Sequence, residues 1–560
     1  MGNKRKKRNK LKWGTVVNDV ISEALDIVYK FIMPLCNEQN QALIEHGLLS
    51  MAGIDKFSFS NQPIPFFTYD QVQSILARLN EKGSIRKSKG VYYTPPDVVK
   101  FIAANSIKAS FGALTPENIR SLELAPEYVE DFCLKKTIFE PACGAGEFLL
   151  EVLEYKLKLL PLRYATNRKG IECVVRTFYG NDINIDSVVI TKLRLFLCVA
   201  YRCGIEYCMG LPAILNCHFT TYDYVVSPPA KGEQYDIILG NPPYVEDHKS
   251  GLKLQERYGN IYANVLLNAA LHLRIGGSMG FIIPISYSST PRMKKLRDKL
   301  LEIVQEQFIL CYADRPDCLF DSVHQKLCIL ICRNTNEAHK IYTGNYQYWY
   351  QEERKNLFFN THVVLNPFVR EDCIPKLGTF LDLSIYRKVM DQRNPSLYST
   401  SRTGPHSVYV NRRETFWVKA FRREIIHPEF KAFHFATKEE ADYCYCLVNS
   451  SLFWWYWISV SDCWHISKEL NGFRAPIVPA DLSFTDLAEA LDTRLETTKE
   501  YVGTKQTEYE YRHRACLEEI HSIDIVINAL FGLTQEESDY IKNFALRYRI
   551  SGGAVGDERD

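Results

Sequence analysis

Asn241, Pro242, Pro243 and Tyr244 are four consecutive residues whose types suit the binding of a planar amine. They follow the apolar run Tyr235–Leu239, so they stand where a strand is expected to end. Successive prolines fix φ and lack the amide hydrogen, which leaves the local carbonyls rigid and able to accept hydrogen bonds. The Asn241 side-chain oxygen and the Pro242 carbonyl could accept both hydrogens of an exocyclic amine such as adenine N6. The pattern therefore predicts transfer of a group to an amine without a basic side chain.

Tyr244 supplies an aromatic face on which a base could stack. Stacking of this kind contributes about 1–3 kcal/mol per base, which is comparable to the few kcal/mol needed to flip a nucleotide out of a duplex. The alternative is a structural turn, because a Pro-Pro pair favours turns whether or not a ligand binds. Two further motifs upstream favour the binding site over the turn.

Both upstream motifs lie where a strand is predicted to end. The segment from Glu140 to Gly146 leads directly into a helix, and Gly144 and Gly146 would let the backbone approach a ligand closely. The third glycine of a dinucleotide fingerprint is absent, so this loop alone is weak evidence. The next strand ends at Asp182, whose carboxylate could accept the two hydroxyl donors of a ribose, with a surface turn as the alternative.

These motifs need a sheet to bring them together. Short β-branched runs alternate with helical ones between 91 and 335, which predicts an open, mostly parallel, Rossmann-like α/β sheet. The clearest connecting helices are Glu147–Leu153 and Tyr262–Leu273, and the second is expected to end at Gly276. The predicted strands are Lys136–Glu140, Thr177–Gly180, Pro212–Leu215, Tyr235–Leu239, Met279–Pro284 and Lys326–Ile331.

The chain is expected to divide into three parts. Residues 1–88 would form a basic tail and a helical N-terminal segment, because basic residues are followed by apolar ones at helical spacing. A polar, basic stretch at 81–90 marks the boundary. Residues 89–345 would hold the sheet. Residues 365–560 would form a mixed α+β region with terminal helices.

Composition limits the classes of protein to consider. The 560 residues are 46% hydrophobic, but no apolar run reaches the roughly 18 residues that would span a bilayer. Lys and Arg total 68 against 66 for Asp and Glu, so any contact with nucleic acid must come from local patches. The 17 cysteines include no Cys-x-x-Cys pair, which argues against disulfides or a metal site and favours a reducing cytosol.

Four segments, in order, resemble the motifs of the amino-type DNA methyltransferases, which use S-adenosylmethionine to methylate adenine N6. Val91–Pro96 resembles the motif that precedes their sheet, and Glu140–Gly146 resembles their glycine loop. Asn241–Tyr244 matches their catalytic motif without substitution. Leu319–Lys326 resembles a later motif whose aromatic residue packs on the other face of a flipped base. The resemblance implies a methyltransferase domain that needs no metal.

The resemblance also carries roles over to individual residues. Asn241, Pro242, Pro243 and Tyr244 would be catalytic, with Phe320 on the other side of the base, although a core phenylalanine is an equally good interpretation of Phe320. The residues that would bind S-adenosylmethionine are Tyr93, Thr94 and Pro95 at its methionine end, Glu140, Ala142, Gly144 and Gly146 at its amino-acid moiety, Asp182 at the ribose and Ile183 at the adenine ring.

One position departs from the family pattern. The family usually has an acid after the third strand to hold the cofactor's adenine, but here His218 stands at the best-fitting position and Asp223 follows five residues later. A neutral histidine can accept a hydrogen bond, so either residue could serve. The sequence leaves both assignments open.

The region after 365 resembles, more loosely, the target-recognition domains of such enzymes, especially at Leu447–Phe453 and Gly472–Pro476. Independently of the family, residues 411–423 interleave basic and aromatic residues, as a surface that contacts phosphates and bases would. A solvated strand face is the alternative. The DNA-binding candidates are Arg402, Arg412, Arg413, Lys419, Arg422 and Arg423.

The resemblance implies a site-specific, adenine-specific DNA methyltransferase of a restriction-modification or phage-defence system. Its expected partners are double-stranded DNA and, as an option, a separate restriction endonuclease or defence-system subunit, with no membrane. Its expected location is the cytoplasm, at the nucleoid. The alternatives are a methyltransferase acting on RNA or a protein glutamine, or an inactive homologue that binds DNA.

A fused nuclease is not expected in the N-terminal segment. Residues 1–90 contain no Pro-Asp followed by an Asp/Glu-x-Lys cluster, which a metal-dependent nuclease core would need to hold its cations. The sequence therefore predicts methylation without cleavage by this chain.

Overall fold

A computed structural model provides the structure of the chain. It describes residues 19–60, 67–80, 93–227, 232–320, 324–392, 404–466, 468–503 and 508–551.

The largest sheet formed by the described residues is mostly parallel. Its strands are Ile138–Glu140 (β1), Phe178–Asp182 (β2), Phe219–Thr221 (β3), Tyr235–Gly240 (β4), Leu273–Pro284 (β5), Glu306–Tyr312 (β6), Leu327–Arg333 (β7), Lys340–Thr343 (β8) and Val364–Leu365 (β9). Their order is β3-β2-β1-β4-β5-β7-β6-β8-β9. The pairs β2/β3, β1/β2, β1/β4, β4/β5 and β6/β8 are parallel, and β8/β9 is antiparallel.

The described residues group into two compact units. The first unit comprises the residues up to Leu114, together with Leu122–Ile282 and Ile331–Asn336. The second unit comprises Thr115–Ser121, Ile283–Leu330 and the residues from Glu337 onward.

Helices of the first unit cover the sheet and extend N-terminal to it. They are Asp19–Ile32 (α1), Glu38–Ala52 (α2), Tyr69–Leu79 (α3), Pro96–Ala109 (α4), Val129–Leu134 (α5), Glu147–Leu159 (α6), Leu162–Ala165 (α7), Arg168–Val175 (α8), Ile185–Arg202 (α9), Leu211–His218 (α10) and Tyr262–Leu271 (α11). Helix α9 is buried without interruption from Ser187 to Ala200. A helix buried on every side forms part of the core rather than of the surface.

The second unit adds helices and two small sheets. Its helices are Ser286–Ser289 (α12), Lys294–Ile303 (α13), Phe380–Met390 (α14), Lys438–Asn449 (α15), Ser451–Val460 (α16), Lys468–Gly472 (α17), Thr485–Thr498 (α18), Leu517–Leu530 (α19), Gln535–Asn543 (α20) and Leu546–Ile550 (α21). Its further strands are His406–Asn411 (β10), Ala420–Phe421 (β11), Phe430–Phe435 (β12), Glu500–Tyr501 (β13) and Tyr509–Glu510 (β14). Trp454, Trp455 and Trp457 of α16 are fully buried and dominate its core.

The predicted α/β class is confirmed, but two predicted elements are wrong. Pro212–Leu215 belongs to helix α10 rather than to a strand, because Leu211, Ile214 and Leu215 are buried at helical spacing and proline suits a first helical turn. Helix α11 ends at Leu271, and Gly276 lies inside β5, where its N–H donates to Asn334 O. A short apolar run with a glycine does not separate strand from helix by pattern alone.

The division into residues 1–88, 89–345 and 365–560 stays a prediction. None of the described helices is both long and apolar enough to cross a bilayer.

Candidate active site

The carboxyl ends of three neighbouring strands bring the sequence motifs to one edge of the sheet. Strand β1 ends at Glu140, β2 ends at Asp182, and β4 ends at Gly240, immediately before Asn241. The strands are adjacent in the order β2-β1-β4, and both pairs are parallel. Residues that are far apart in the chain therefore meet where open α/β sheets bind their ligands.

The glycine loop, residues 141–146, is hydrogen-bonded to the end of β2. Gly144 N donates a hydrogen bond to Asp182 Oδ2 at 2.9 Å. Gly146 then precedes α6 with φ of +80°, and a Cβ at this position would come within 2.6 Å of Thr191 Cγ2. Both the left-handed backbone and the close approach of α9 therefore require glycine at position 146.

Helix α9 holds the carbonyl groups of the same loop. Thr191 Oγ1 donates to Gly144 O at 3.0 Å, and Arg194 Nη1 donates to Ala145 O at 2.6 Å. Arg194 also forms an ion pair with Glu147, with 2.6 Å between Nη1 and Oε1. The C=O and N–H groups of a planar peptide point in opposite directions, so these bonds turn the N–H groups of the same peptide units, those of Ala145 and Gly146, away from α9.

Glu140 is a buried acid at the base of the loop. Its side chain is 3% exposed, and Oε2 makes no hydrogen bond within the described part of the chain. Burial, reinforced by Glu147 and Asp182, raises the pKa of the Glu140 carboxyl well above its usual range. A buried acceptor without a donor is costly unless a ligand supplies one. The ammonium of an amino-acid moiety would do so, and this orphaned oxygen therefore fits the cofactor that the motifs imply.

Asp182 accepts hydrogen bonds at the end of β2. Its Oδ2 accepts from Gly144 N, and its Oδ1 accepts from Asn184 N at 2.8 Å. A carboxylate has about four acceptor sites, so it can accept from several donors at once. Ile183, the next residue, is 61% exposed and offers an apolar surface at the strand end against which a flat ring could pack.

The Asn241 amide and the Tyr244 ring are both held in place by neighbouring groups. Asn241 Nδ2 donates to Thr94 Oγ1 at 3.0 Å, which turns Oδ1, the only acceptor of this side chain, in the other direction. The Tyr244 hydroxyl donates to Ile282 O at 2.8 Å. Its ring lies edge-on to Tyr262, with 6.4 Å between centroids. The two side chains predicted to grip a base are therefore preorganised.

The segment before α4 contacts the site through Thr94, whose hydroxyl oxygen accepts the hydrogen bond from Asn241. Thr94 is buried, whereas Tyr93 is 44% exposed, and Pro95 caps the first turn of α4. Ala142, in the glycine loop, is half-buried. The predicted cofactor roles of Tyr93, Pro95 and Ala142 stay predictions.

His218 and Asp223 lie at opposite ends of β3: His218 just before its first residue, and Asp223 after its last. His218 is the last residue of α10, just before the strand, where its Nδ1 is 3.1 Å from Phe178 O and its ring stacks on Tyr179 at 4.2 Å. Asp223 follows the carboxyl end of β3 by two residues. Carboxyl ends carry the ligand sites of such sheets, so the geometry favours Asp223 for the contact to the cofactor's adenine.

Phe320 belongs to the second unit and is 2% exposed. Its burial is what a core phenylalanine would show. Packing of Phe320 against a flipped base stays a prediction.

The basic residues predicted to contact DNA differ in the ion pairs that they already form within the protein. Arg402 lies outside the described residues. Arg412 is exposed, and its backbone is fixed, because its N–H donates to Glu429 O at 2.8 Å. Arg413 pairs with the Glu429 carboxylate at 3.2 Å, and Lys419 lies 3.9 Å from Glu414.

Arg422 and Arg423 both form ion pairs inside the second unit. Arg422 contacts Asp442, which is 1% exposed, at 2.8 Å, and Asp492 at 3.4 Å. Arg423 pairs with Glu496 at 3.3 Å and lies 4.2 Å above the Tyr511 ring. Because its partner Asp442 is buried, Arg422 has a structural role that its sequence context did not indicate.

Sequence reasoning missed the residues that support the loop from behind. Asn181 is 1% exposed and bridges three strand ends, since its Nδ2 donates to Pro141 O and to Tyr222 O, both at 3.0 Å. Thr191 and Arg194 lie more than forty residues beyond the glycine loop in the chain. The one signal available was the presence of polar residues, Thr191 and Arg194 among them, within a largely apolar helix, because a buried cation requires partners.

Comparison with known proteins agrees with this geometry. Curated relatives include the modification methylase CviBIII of Paramecium bursaria Chlorella virus NC1A, 25% identical over 216 residues, which are 38% of this chain and 45% of that protein. The putative type II restriction enzyme and methyltransferase RM.MjaORFECS2P of Methanocaldococcus jannaschii is 23% identical over 228 residues, covering 35% of this chain and 18% of that protein. The chain thus spans less than half the length of either relative.

Among solved structures, the chain resembles the Type IIL restriction-modification enzyme MmeI, solved in complex with DNA. The TM-score is 0.51 and the identity is 11%, over 96% of this chain and all of that one. At this identity the match concerns the fold alone. The family model described as N-6 DNA methylase matches residues 74–364, just over half of the chain. The chain belongs to the N-6 DNA methylase family.

Proposed function

We propose that this protein methylates adenine N6 in double-stranded DNA, with S-adenosylmethionine as the methyl donor. The observation that carries the proposal is the position of the Asn241 amide. It follows the carboxyl end of β4, is oriented by Thr94, and shares one sheet edge with Glu140 and Asp182. Membership of the N-6 DNA methylase family supports the reaction and the cofactor.

Three groups of residues would hold the cofactor. The Glu140 carboxylate would accept hydrogen bonds from its ammonium, Asp182 would accept from its ribose hydroxyls, and Ile183 would pack on its adenine ring. Asp223 is the better placed of the two candidates to accept from the adenine amine. Bound there, S-adenosylmethionine supplies a methyl group on a positively charged sulfur.

Catalysis would rest on fixed acceptors. Asn241 Oδ1 and the Pro242 carbonyl would accept both N6 hydrogens, which turns the nitrogen lone pair out of the ring plane toward the methyl donor. The same two oxygens would stabilise the positive charge that develops on the nitrogen. Tyr244 would stack on the flipped base, and Phe320 is the candidate for its other face.

Recognition of DNA would belong to the second unit. Arg412 and Arg413 stand next to β10 and present their side chains to solvent. Arg402, Lys419, Arg422 and Arg423 complete the basic set. The relatives, a modification methylase and a putative restriction enzyme and methyltransferase, support a role in a restriction-modification or phage-defence system. The proposal also includes a cytoplasmic location at the nucleoid and a separate endonuclease as partner.

Labelled S-adenosylmethionine, offered with duplex DNA, RNA and a protein extract in parallel, tests the substrate class. We expect methyl transfer to duplex DNA alone. Transfer to RNA or protein would replace the proposal with one of its alternatives. Cofactor binding without transfer to any of the three would indicate a DNA-binding homologue.

A further inference from the structure

Helix α3 and its C-terminal cap carry two buried polar residues that face helix α9. Gln73 is 5% exposed and Asn80, the residue that caps the helix, is 6% exposed. The helix lies in the predicted N-terminal segment, before the basic stretch at 81–90, and the sequence gives it no function. Buried amides require hydrogen-bond partners, so the identity of those partners indicates what the helix supports.

Gln73 is linked to the glycine loop through Arg194. Arg194 Nε donates to Gln73 Oε1 at 2.9 Å, and Gln73 Nε2 donates back to Arg194 O at 3.1 Å. The same guanidinium holds the loop, through Nη1 to Ala145 O at 2.6 Å and the ion pair with Glu147. One buried cation therefore contacts α3 on one side and the cofactor loop on the other.

Asn80 approaches the loop directly. Its Oδ1 accepts a hydrogen bond from Ser187 Oγ of α9 at 3.0 Å. Its Nδ2 lies 3.6 Å from the position that a Cβ on Gly144 would occupy. Ser187, Thr191 and Arg194 are spaced by four and three residues, so they form one stripe of α9 behind the loop. Helix α3 packs against the same stripe.

The chemistry of Arg194 explains why Gln73 matters. The arginine side chain is 4% exposed, and a buried guanidinium is stable only when its donors are paired. Its Nη atoms contact the loop and Glu147, while Nε relies on Gln73. Without the glutamine, the guanidinium would have to rotate or recruit water, and the Ala145 carbonyl would lose its fixed donor.

We propose that helix α3 is part of the cofactor site, with Gln73 and Asn80 as positioning residues that hold the glycine loop in its binding geometry. Gln73 acts through Arg194, and Asn80 acts by supporting Gly144. The inference rests on the proposed use of S-adenosylmethionine and deepens it. It gives the N-terminal segment a direct part in cofactor affinity.

Calorimetric titration of the full chain with S-adenosylmethionine tests the link through Gln73. Gln73→Met should weaken binding about tenfold, as expected from the loss of one hydrogen bond to a charged group. Gln73→Glu, which keeps the acceptor for Arg194, should bind within about threefold of the original chain. Ser74→Ala, at an exposed position of the same helix, is the matched control and should bind normally.

A double-mutant cycle separates this mechanism from a general loss of stability. If Gln73 acts through Arg194, Gln73→Met should cause no further loss of affinity in an Arg194→Met background. Wild-type affinity in Gln73→Met, or additive effects in the double variant, would overturn the role of Gln73. Melting temperatures of each variant show which of them fold.

Asn80→Ala provides the independent test, which remains informative if Gln73→Met does not fold. Weaker cofactor binding by the folded Asn80→Ala variant supports the proposal, and unchanged affinity contradicts it. Failure of the original chain to bind S-adenosylmethionine would contradict the proposed function instead. Loss of cofactor binding in the original chain thus contradicts the function, whereas unchanged binding in Asn80→Ala contradicts only the role of α3.

Discussion

Asn241 can accept an amine only while its amide keeps one orientation. The hydrogen bond from Nδ2 to Thr94 Oγ1 selects that orientation before any base arrives, so little reorganisation remains for the moment of reaction. Tyr244 is fixed in the same way by Ile282 O. In the proposed reaction, preorganised acceptors of this kind would let transfer begin without a general base, and the amine would release its proton after the methyl group is attached.

Replacement of Asn241 by alanine should therefore affect transfer but not cofactor binding. We expect the turnover rate of Asn241→Ala to fall by at least about 100-fold, in line with the loss of one preorganised group. The dissociation constant for S-adenosylmethionine should stay within about threefold of its original value. Full turnover in this variant, measured by transfer of labelled methyl groups, would refute the role of Asn241.

Glu140 should make cofactor affinity depend on pH. Burial raises the pKa of its carboxyl well above its usual range, so the cofactor-free protein keeps a proton there at pH values at which an ordinary glutamate is ionised. The carboxylate form is the one that receives an ammonium, so binding releases that proton and affinity increases as pH rises toward the raised pKa. Calorimetry in two buffers of different ionisation enthalpy should detect this release in the original chain. It should vanish in Glu140→Gln, and equal release by both proteins would exclude Glu140.

The residues of this site were predictable to different degrees. Asn241 and Tyr244 belong to one four-residue motif, so residue types alone suggested a chemistry for both and placed them together. Thr191 and Arg194 act on a loop far away in sequence, and only the packing of α9 against that loop shows their role. Asp223 became the better candidate than His218 only when the bounds of β3 were known.

The strand β10 and the turn after it form the element that we expect to contact DNA phosphates. Replacing both Arg412 and Arg413 by alanine should weaken binding to duplex DNA and reduce the slope of log K against log salt by about 2, because two phosphate contacts are lost. The backbone there should persist, since Arg412 N and Arg412 O are bonded to Glu429 O and Ile466 N. Fluorescence anisotropy at several salt concentrations measures the slope.

Arg494→Ala is a suitable control for that experiment. Arg494 is a half-exposed arginine of α18 in the second unit but lies outside residues 411–423. Its removal should leave the salt slope unchanged. An unchanged slope in the Arg412 and Arg413 double variant would show that this element does not contact phosphates.

Helix α6 carries a fully buried lysine, Lys156. Lys156 is fully buried, donates to Lys136 O at 2.7 Å and Thr177 Oγ1 at 2.8 Å, and burial lowers its pKa from 10.5 to about 7. Between these two values the unfolded chain binds a proton that the folded chain has released. Stability should therefore rise with pH in this window, by at most about 1.4 kcal/mol per pH unit.

Lys156→Met should flatten that rise. Urea unfolding of both proteins near the two ends of the window measures the difference. A residual slope is expected, because burial also lowers the pKa of Lys108 and Lys192 to about 8. Identical slopes in the two proteins would show that Lys156 stays charged in the folded state.

Patterning predicted several of the buried strands, did not predict the buried strand β6 or the buried helix α9, and assigned part of helix α10 to a strand. Strands β4 and β7 and the second half of β5 appear as continuous apolar stretches, because both of their faces are buried. Helix α10 looked like a strand because four of its residues, Pro212–Leu215, give no period. Tertiary packing, rather than local preference, decides such segments.

At the level of the whole chain, the sequence predicted the class of the sheet but not the role of the helices before it. The basic stretch at 81–90 suggested a boundary, yet two residues that precede it contact α9: Gln73 bonds to Arg194, which holds the glycine loop, and Asn80 bonds to Ser187. A break in composition marks a change in solvent exposure, and it does not show which buried side chains meet across it. Those contacts depend on packing that no local pattern contains.

The identity of the methylated nucleoside tests the account most directly. Duplex DNA incubated with S-adenosylmethionine and the protein, or with its Asn241→Ala variant, can be digested to nucleosides and analysed by mass spectrometry. We predict N6-methyl-2′-deoxyadenosine with the original chain and, in the same reaction time, at least about 100-fold less with the variant. Methyl groups on cytosine, or equal amounts of methyladenine with both proteins, would contradict an adenine amine held by Asn241 and Pro242.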